Sequence, residues 1–315
     1  MHSVVIFLGE NLKKYSFPGG HPFSVRRVEL FEERVREILP AHENIIISEP
    51  TRATESELLS FHTAEYLDFV RESSKGGLGY LDQGDTPSFK GVFEAASTSV
   101  GSTLKGLRML LRGKIDHAFN PIGGLHHAKK DGAAGFCVFN DAAIAIVEAQ
   151  KAGLERILYV DIDAHHGDGV FYAFYDDPSV YIVDIHEDGR YLYPGTGFRD
   201  ELGGGEATGR KKNIPLPKGS GDLEFKHAFS EVEMFANWAE PQLVIFQCGA
   251  DGLGGDPITH LRYTPKSHKL ATVSLHRMAH KFSQGRILAL GGGGYNLDNV
   301  SSAWLEVVVE LANKE

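Results

Sequence analysis

Short apolar runs recur along the chain, separated by stretches with helical periodicity. Val4 to Leu8, Asn44 to Ser48, Ile115 to Pro121, Ile157 to Val160, Pro178 to Ile185, Gln242 to Cys248 and Ile287 to Leu290 are all brief and largely apolar on successive positions. Strands buried on both faces have that pattern. Between them, Ser24 is expected to cap a helix that Pro40 stops, Thr54 begins a brief helix, and another starts near Phe61 and ends before Lys75-Gly76-Gly77. Longer helices are predicted over Phe89 to Arg112, Asn140 to Ala152, Asp222 to Ala239, Thr264 to Ser283 and Leu297 to Ala312. Alternating strands and helices predict an α/β fold, a parallel sheet with helices on both faces and sites at the carboxyl ends of the strands. Without a linker or internal repeat, residues 1–315 read as one domain. The glycine- and aspartate-rich stretch from Gly76 to Ser88 is expected to be a loop serving a site. The polar segment around Gly203-Gly204-Gly205 is expected to be a mobile loop.

Composition narrows the classes. The formal charge of −10 over 315 residues argues against a nucleic-acid scaffold, which needs a basic patch, and is compatible with cationic peptide partners. No apolar run approaches the roughly twenty residues that cross a bilayer, and Met1-His2-Ser3 does not open a secretory leader. Cys137 and Cys248 form neither a disulfide framework nor a zinc ribbon. The expected location is cytoplasmic, with neither membrane nor nucleic acid as partner.

Chemistry concentrates after the strands. Behind Ile157 to Val160 the chain reads Asp161-Ile162-Asp163-Ala164-His165-His166-Gly167-Asp168-Gly169-Val170. In extended chain Asp161, Asp163 and His165 share a face, and carboxylate oxygens with an imidazole nitrogen suit zinc or a similar divalent ion. One Asp-x-His is commonly just a helix cap, but so many ionisable groups in eight residues are costly to bury without a cation. His126-His127, Asp251 and Tyr295 also follow predicted strands directly, so a parallel sheet would bring them to one rim.

These segments, together with Gly123-Gly124-Leu125-His126-His127-Ala128, Gly135-Phe136-Cys137, Tyr193-Pro194-Gly195-Thr196-Gly197, Gln247 to Asp251 and Gly291-Gly292-Gly293-Gly294-Tyr295, resemble the zinc-dependent histone deacetylases of the arginase-deacetylase superfamily. The match spans nearly the whole chain and looks most like the bacterial acetoin-utilisation type. The resemblance implies an arginase-deacetylase fold with a central parallel sheet of about eight strands. It implies hydrolysis of an Nε-acyl-lysine amide at one Zn²⁺ held by Asp163, His165 and Asp251, ligands that would also suit Fe²⁺. It casts His127 as general base and then acid, His126 as its electrostatic support, and Asp161 and Asp168 as their respective partners. Tyr295 becomes the oxyanion donor. Phe136 and Tyr193 wall the substrate channel, which Gly135, Ile258 and Gly293 also line, and Arg27 belongs to an internal channel behind the metal. The family motif has proline where this chain has Val25. K⁺ is implied beside Asp161, with Asp184 where many relatives have serine.

Two departures bear on specificity. Gly167 and Leu253 stand where a binuclear manganese site needs acids, so one catalytic metal is expected. Ile258 stands where some acetylpolyamine deacetylases carry a gatekeeper glutamate, which favours an acyl-lysine protein or peptide over an acetylpolyamine. A non-catalytic acyl-lysine binder would be expected to have lost one of these groups. The substrate, its acyl length, and the choice between monomer and homo-oligomer stay open at this level, as does the loop aspartate that relatives use to grip the substrate backbone, sought between Gly76 and Ser88 or in the preceding turn.

Overall fold

A computed structural model describes residues 2–314, so the two outermost positions of the expected domain lie outside it. The elements in chain order are β1 (Val4–Phe7), α1 (Glu10–Lys13), α2 (Arg26–Ile38), β2 (Ile45–Ser48), α3 (Glu55–Leu58), α4 (Ala64–Gly76), α5 (Val92–Leu111), β3 (His117–Asn120), α6 (Asp141–Lys151) and β4 (Ile157–Asp161). They continue with α7 (Asp168–Ala173), β5 (Val180–Glu187), β6 (Lys211–Leu216), α8 (Asp222–Ala239), β7 (Leu243–Gln247), α9 (Pro265–Phe282), β8 (Ile287–Leu290) and α10 (Leu297–Ala312).

The eight strands form one all-parallel sheet in the order β2-β1-β3-β8-β7-β4-β5-β6. Every residue of β1, β3, β4, β5, β7 and β8 is buried, which requires cover on both faces. One helical layer joins α2, α10, α9 and α8 side by side, and the other gathers α1, α4, α5, α6 and α7. Such burial is worth about 1.5–3 kcal/mol for each large aliphatic or aromatic side chain, so central strands of this kind form a rigid base for the loops they carry.

Local signals place most boundaries. Thr54 closes a reciprocal capping box with Glu57, while Thr63, Asn140, Thr264 and Asn296 each accept from a backbone N–H in the first turn of their helices. The α2 helix departs from expectation: it starts at Arg26 with Val25 as an uncapped N-cap, and Ser24 only lends its carbonyl to Arg27 N–H.

The segment after Gly203-Gly204-Gly205 is a second departure. Instead of a free loop, the chain makes a 3₁₀ turn at Gly205–Ala207 and enters β6, the edge strand that pairs with β5. Lys211 and Lys212 hid that strand, since their charges break the apolar run. The Lys211 ammonium is buried against the carbonyls of Asp177 and Val180, which burial of the cation alone would not favour.

Candidate active site

Four contiguous strands at the centre of the sheet, β3, β8, β7 and β4, deliver the four chemical segments. Because all run parallel, the loops after Asn120, Leu290, Gln247 and Asp161 leave from one rim, as the alternating pattern predicts. His126-His127 come from β3, Tyr295 from β8, Asp251 from β7, and Asp161 to Asp168 from β4.

Asp163, His165 and Asp251 are buried and each presents a ligand atom within 4.8 Å of the others. His165 Nδ1 faces Asp163 Oδ1 at 3.1 Å and Asp251 Oδ2 at 3.0 Å. Burial and the neighbouring Asp163 push the Asp251 carboxyl up to about 7, the response of two buried carboxylates that share too little positive charge. Against its own burial, His165 is raised to about 10 by Asp251 and Asp163. Two carboxylate oxygens and one imidazole nitrogen converging in a buried place are a donor set suited to a divalent ion such as Zn²⁺. Backbone shape agrees: a Cβ at Gly293 would lie 2.3 Å from Asp251 Oδ2 and 2.8 Å from Asp163 Oδ2. Among the described residues no further acid joins the trio, and Gly167 and Leu253 add none.

The histidine pair lies alongside. His126 Nδ1 faces Asp161 Oδ2 at 2.8 Å, His127 Nδ1 faces Asp168 Oδ1 at 2.7 Å, and the two Nε2 atoms are 3.0 Å apart. The rings thus share surroundings but not charge. Burial opposes protonation of both; Asp161 and Asp163 overcome it at His126, which rises to about 10, whereas burial and the His126 charge hold His127 near 4. His126 is thereby favoured as the imidazolium and His127 as the neutral imidazole, whose tautomer Asp168 fixes.

Several side chains that the sequence did not single out build this frame. The Asp141 carboxylate accepts from Gly124 N and Leu125 N, tying down the loop before the histidines. Gln247 donates to Asp163 Oδ2, and Tyr159 donates its hydroxyl to Asp161 Oδ2. Asp256 accepts from Tyr295 N and Ile258 N. Asp141 follows a helix cap and Asp256 sits in a Gly-Asp-Pro turn, positions where acids are ordinary, so neither carried a distinguishing signal.

Above the trio, a pocket of about 270 Å³ is lined by Asp85, His127, Gly135, Phe136, His165, Leu192, Tyr193, Ile258 and Tyr295. The expected channel residues Phe136, Tyr193, Gly135 and Ile258 therefore meet there, whereas Gly293 lines a smaller cavity with Asp163, His165, His127 and Tyr295. Gly135 has φ +52°, and a Cβ on it would come within 2.4 Å of His127 Cδ2. Phe136 itself has φ +67°, a strained angle for an aromatic residue; Thr86 Oγ1 accepts from its N–H and Tyr15 donates to its carbonyl. Asp85 stands at the mouth, where burial and the adjacent Asp82 raise its carboxyl to about 6.

Arg27 is fully buried on the far side of the Gly-rich run. It donates through Nε to Gly294 O at 2.7 Å and through Nη2 to Gly292 O at 2.5 Å, and its guanidinium lies 5.5 Å from the Tyr295 ring centre. Arg26, its neighbour, merely pairs with Glu29 at the surface. Asp161 and Asp184 sit opposite each other in the β4–β5 register; Asp184 binds His186 Nδ1 at 2.6 Å and Gly167 N at 2.9 Å.

The sequence model of the Histone deacetylase domain matches residues 21–311. The chain belongs to the histone deacetylase family. It is 39% identical to the acetoin utilization protein AcuC of Bacillus subtilis over 99% of this chain and 82% of that protein. It is 33% identical to the histone deacetylase RPD3 of Saccharomyces cerevisiae, over 96% of this chain and 70% of RPD3. The crystal structure of the HDA15 HD domain superposes with a TM-score of 0.90 at 28% identity, covering 99% of this chain and 88% of that one. This histone deacetylase family member is accordingly a deacetylase-type hydrolase on a single α/β domain. None of the helices among its described residues is long and apolar enough to cross a membrane.

Proposed function

We propose that the protein is a zinc-dependent lysine deacetylase acting on Nε-acyl-lysine in proteins or peptides. The observation that carries this reading is the convergence of Asp163, His165 and Asp251, of which His165 lines an aromatic-walled pocket together with His127 and Tyr295. Zinc held by those three residues would polarise the acyl carbonyl and acidify a water.

The chain's own groups do the rest. Neutral His127 takes the water's proton at Nε2, with Asp168 stabilising the imidazolium that forms, and returns it to the departing lysine amine. His126, already cationic and anchored by Asp161, lends positive charge to the developing oxyanion without moving a proton. Burial and nearby Asp251 keep the Tyr295 phenol protonated well beyond the usual range, so its hydroxyl donates to the oxyanion. Phe136 and Tyr193 sheath the methylene stem of lysine, whose polar head they cannot solvate. Asp85 at the mouth fits the aspartate that grips the substrate backbone N–H groups. A K⁺ ion beside Asp161 and Asp184 would relieve the repulsion between these two buried carboxylates. Two buried free cysteines accord with a reducing cytoplasm.

Acetate release from an acetyl-lysine peptide tests the reading. Asp163→Ala or Asp251→Ala should abolish it; persisting activity refutes the metal assignment, and tight peptide binding without turnover by the zinc-loaded protein would make it a binder instead. Apolar Ile258 at the pocket wall favours peptide over acetylputrescine, and Ile258→Glu should shift the kcat/KM ratio toward the amine. Higher wild-type efficiency on acetylputrescine would overturn the substrate assignment.

A further inference from the structure

At the opposite edge of the sheet, where strands begin, four histidines collect that the deacetylase chemistry does not use. His2 precedes β1, His117 opens β3, and His276 and His280 stand one turn apart on α9. Each offers a ring nitrogen within 4.8 Å of the others. Two fold features bring them together: β1 and β3 pair with Val4 opposite His117, and the second half of α9 leads back to β8 beside β3. His-x-x-x-His on one helical face is a recurrent way to present two imidazoles to one ion.

The fine geometry is unfavourable for imidazoles alone. His276 Nε2 lies 3.1 Å from His117 Nε2 and 3.0 Å from His280 Nε2. An imidazole nitrogen has one in-plane site, a proton or a lone pair, so His276 Nε2 makes one good hydrogen bond there, not two. A cation on which the lone pairs converge satisfies all three. With metal–nitrogen bonds of 2.0–2.1 Å, tetrahedral ligands stand about 3.3 Å apart, a few tenths of an ångström wider than the spacing here.

The surroundings suit a neutral-ligand site. His117 and His276 are buried with their rings edge to edge, 4.7 Å between centres. Asp116 lies 3.9 Å from His2 Nδ1 and supplies a negative charge at the rim. The His2 backbone is pinned by Asn44, which donates to His2 O and Ala312 O, each at 2.7 Å. His2 and His280 are half-buried, leaving a route in from solvent.

We propose that His2, His117, His276 and His280 form a second metal site, for a transition-metal dication such as Zn²⁺, that clamps the N-terminal segment to β3 and α9. All-imidazole ligation selects Zn²⁺, Cu²⁺ or Ni²⁺ over Mg²⁺ or Ca²⁺. The site stands apart from the catalytic trio and owes nothing to its assignment.

Ion counting decides it. Full-length protein stripped with chelator, reloaded with Zn²⁺ and desalted should hold two ions per chain. Asp163→Asn/Asp251→Asn should hold one, and its thermal midpoint should rise on adding Zn²⁺. His276→Gln/His280→Gln should also hold one while still releasing acetate from an acetyl-lysine peptide; if that pair fails to fold, His2→Ala/His280→Ala should lower Zn²⁺ affinity at least tenfold. One ion in the wild type with none in Asp163→Asn/Asp251→Asn, or an affinity unchanged by removing these histidines, overturns the proposal.

Discussion

Replacing Arg27 by methionine probes how the oxyanion donor is held in place. Arg27 holds the carbonyls of Gly292 and Gly294, the residues leading into Tyr295, from a fully buried position. Methionine fills much of the space but leaves both carbonyls without a donor. Each stranded carbonyl costs about 1–3 kcal/mol, while removing a buried guanidinium returns part of its desolvation penalty. A net loss of about 3 kcal/mol follows, and for a chain of this length it lowers the thermal midpoint by about 5 °C. The catalytic effect should be separate. Loss of one oxyanion donor costs roughly 10²–10³ in kcat, so partial misplacement of Tyr295 should cost about tenfold to a hundredfold. Calorimetry and steady-state hydrolysis of an acetyl-lysine peptide measure the two quantities. Arg27→Met in a Tyr295→Phe background distinguishes routes: if arginine acts through the tyrosine, it should change kcat little there. Full multiplication of the two effects, or an Arg27→Met enzyme with unchanged kcat, refutes the reasoning.

Other outcomes follow from the same geometry. Gly135→Ala should cut kcat at least tenfold with the bound metal retained, because the new methyl would displace the His127 ring; metal content measured beside turnover checks this. Asp85→Ala should raise KM for acetylated peptides about tenfold yet leave acetylputrescine, which has no peptide backbone, nearly unaffected. His62 and His268 are buried and lowered from 6.5 to about 4 by burial. The unfolded chain therefore takes up protons first, so the stability they contribute is complete above pH 6.5 and drains away as pH falls toward 4. Each should contribute up to ~1.4 kcal/mol per pH unit across that window. Urea midpoints against pH should show the slope, and His62→Gln should flatten it; an unchanged slope would rule His62 out.

The sequence by itself determined most of the strand core and most helix caps, and nominated the residues of the candidate site, because each is a local property. Apolar runs such as Leu243–Gln247 and Ile287–Leu290 have no soluble alternative to burial, and caps such as Thr54 and Asn140 satisfy donors within their own turns. The acids and histidines after Val160, crowded into eight residues, raised the expectation of a cation. What tertiary structure decided is everything that depends on partners distant in the chain. Edge strand β6 was concealed by two lysines whose partners lie elsewhere in the chain, Lys211 against carbonyls more than thirty residues away and Lys212 against Glu231. Asp141, Gln247 and Asp256 look like ordinary turn, strand and loop residues until the fold places them against the histidine loop, Asp163 and Tyr295. The divergent charge states of His126 and His127 come from the carboxylates and burial around them, which adjacent identical residues could not reveal. The histidines at the far edge were scattered over nearly the whole sequence, and only strand pairing and one helical turn gave them a common point.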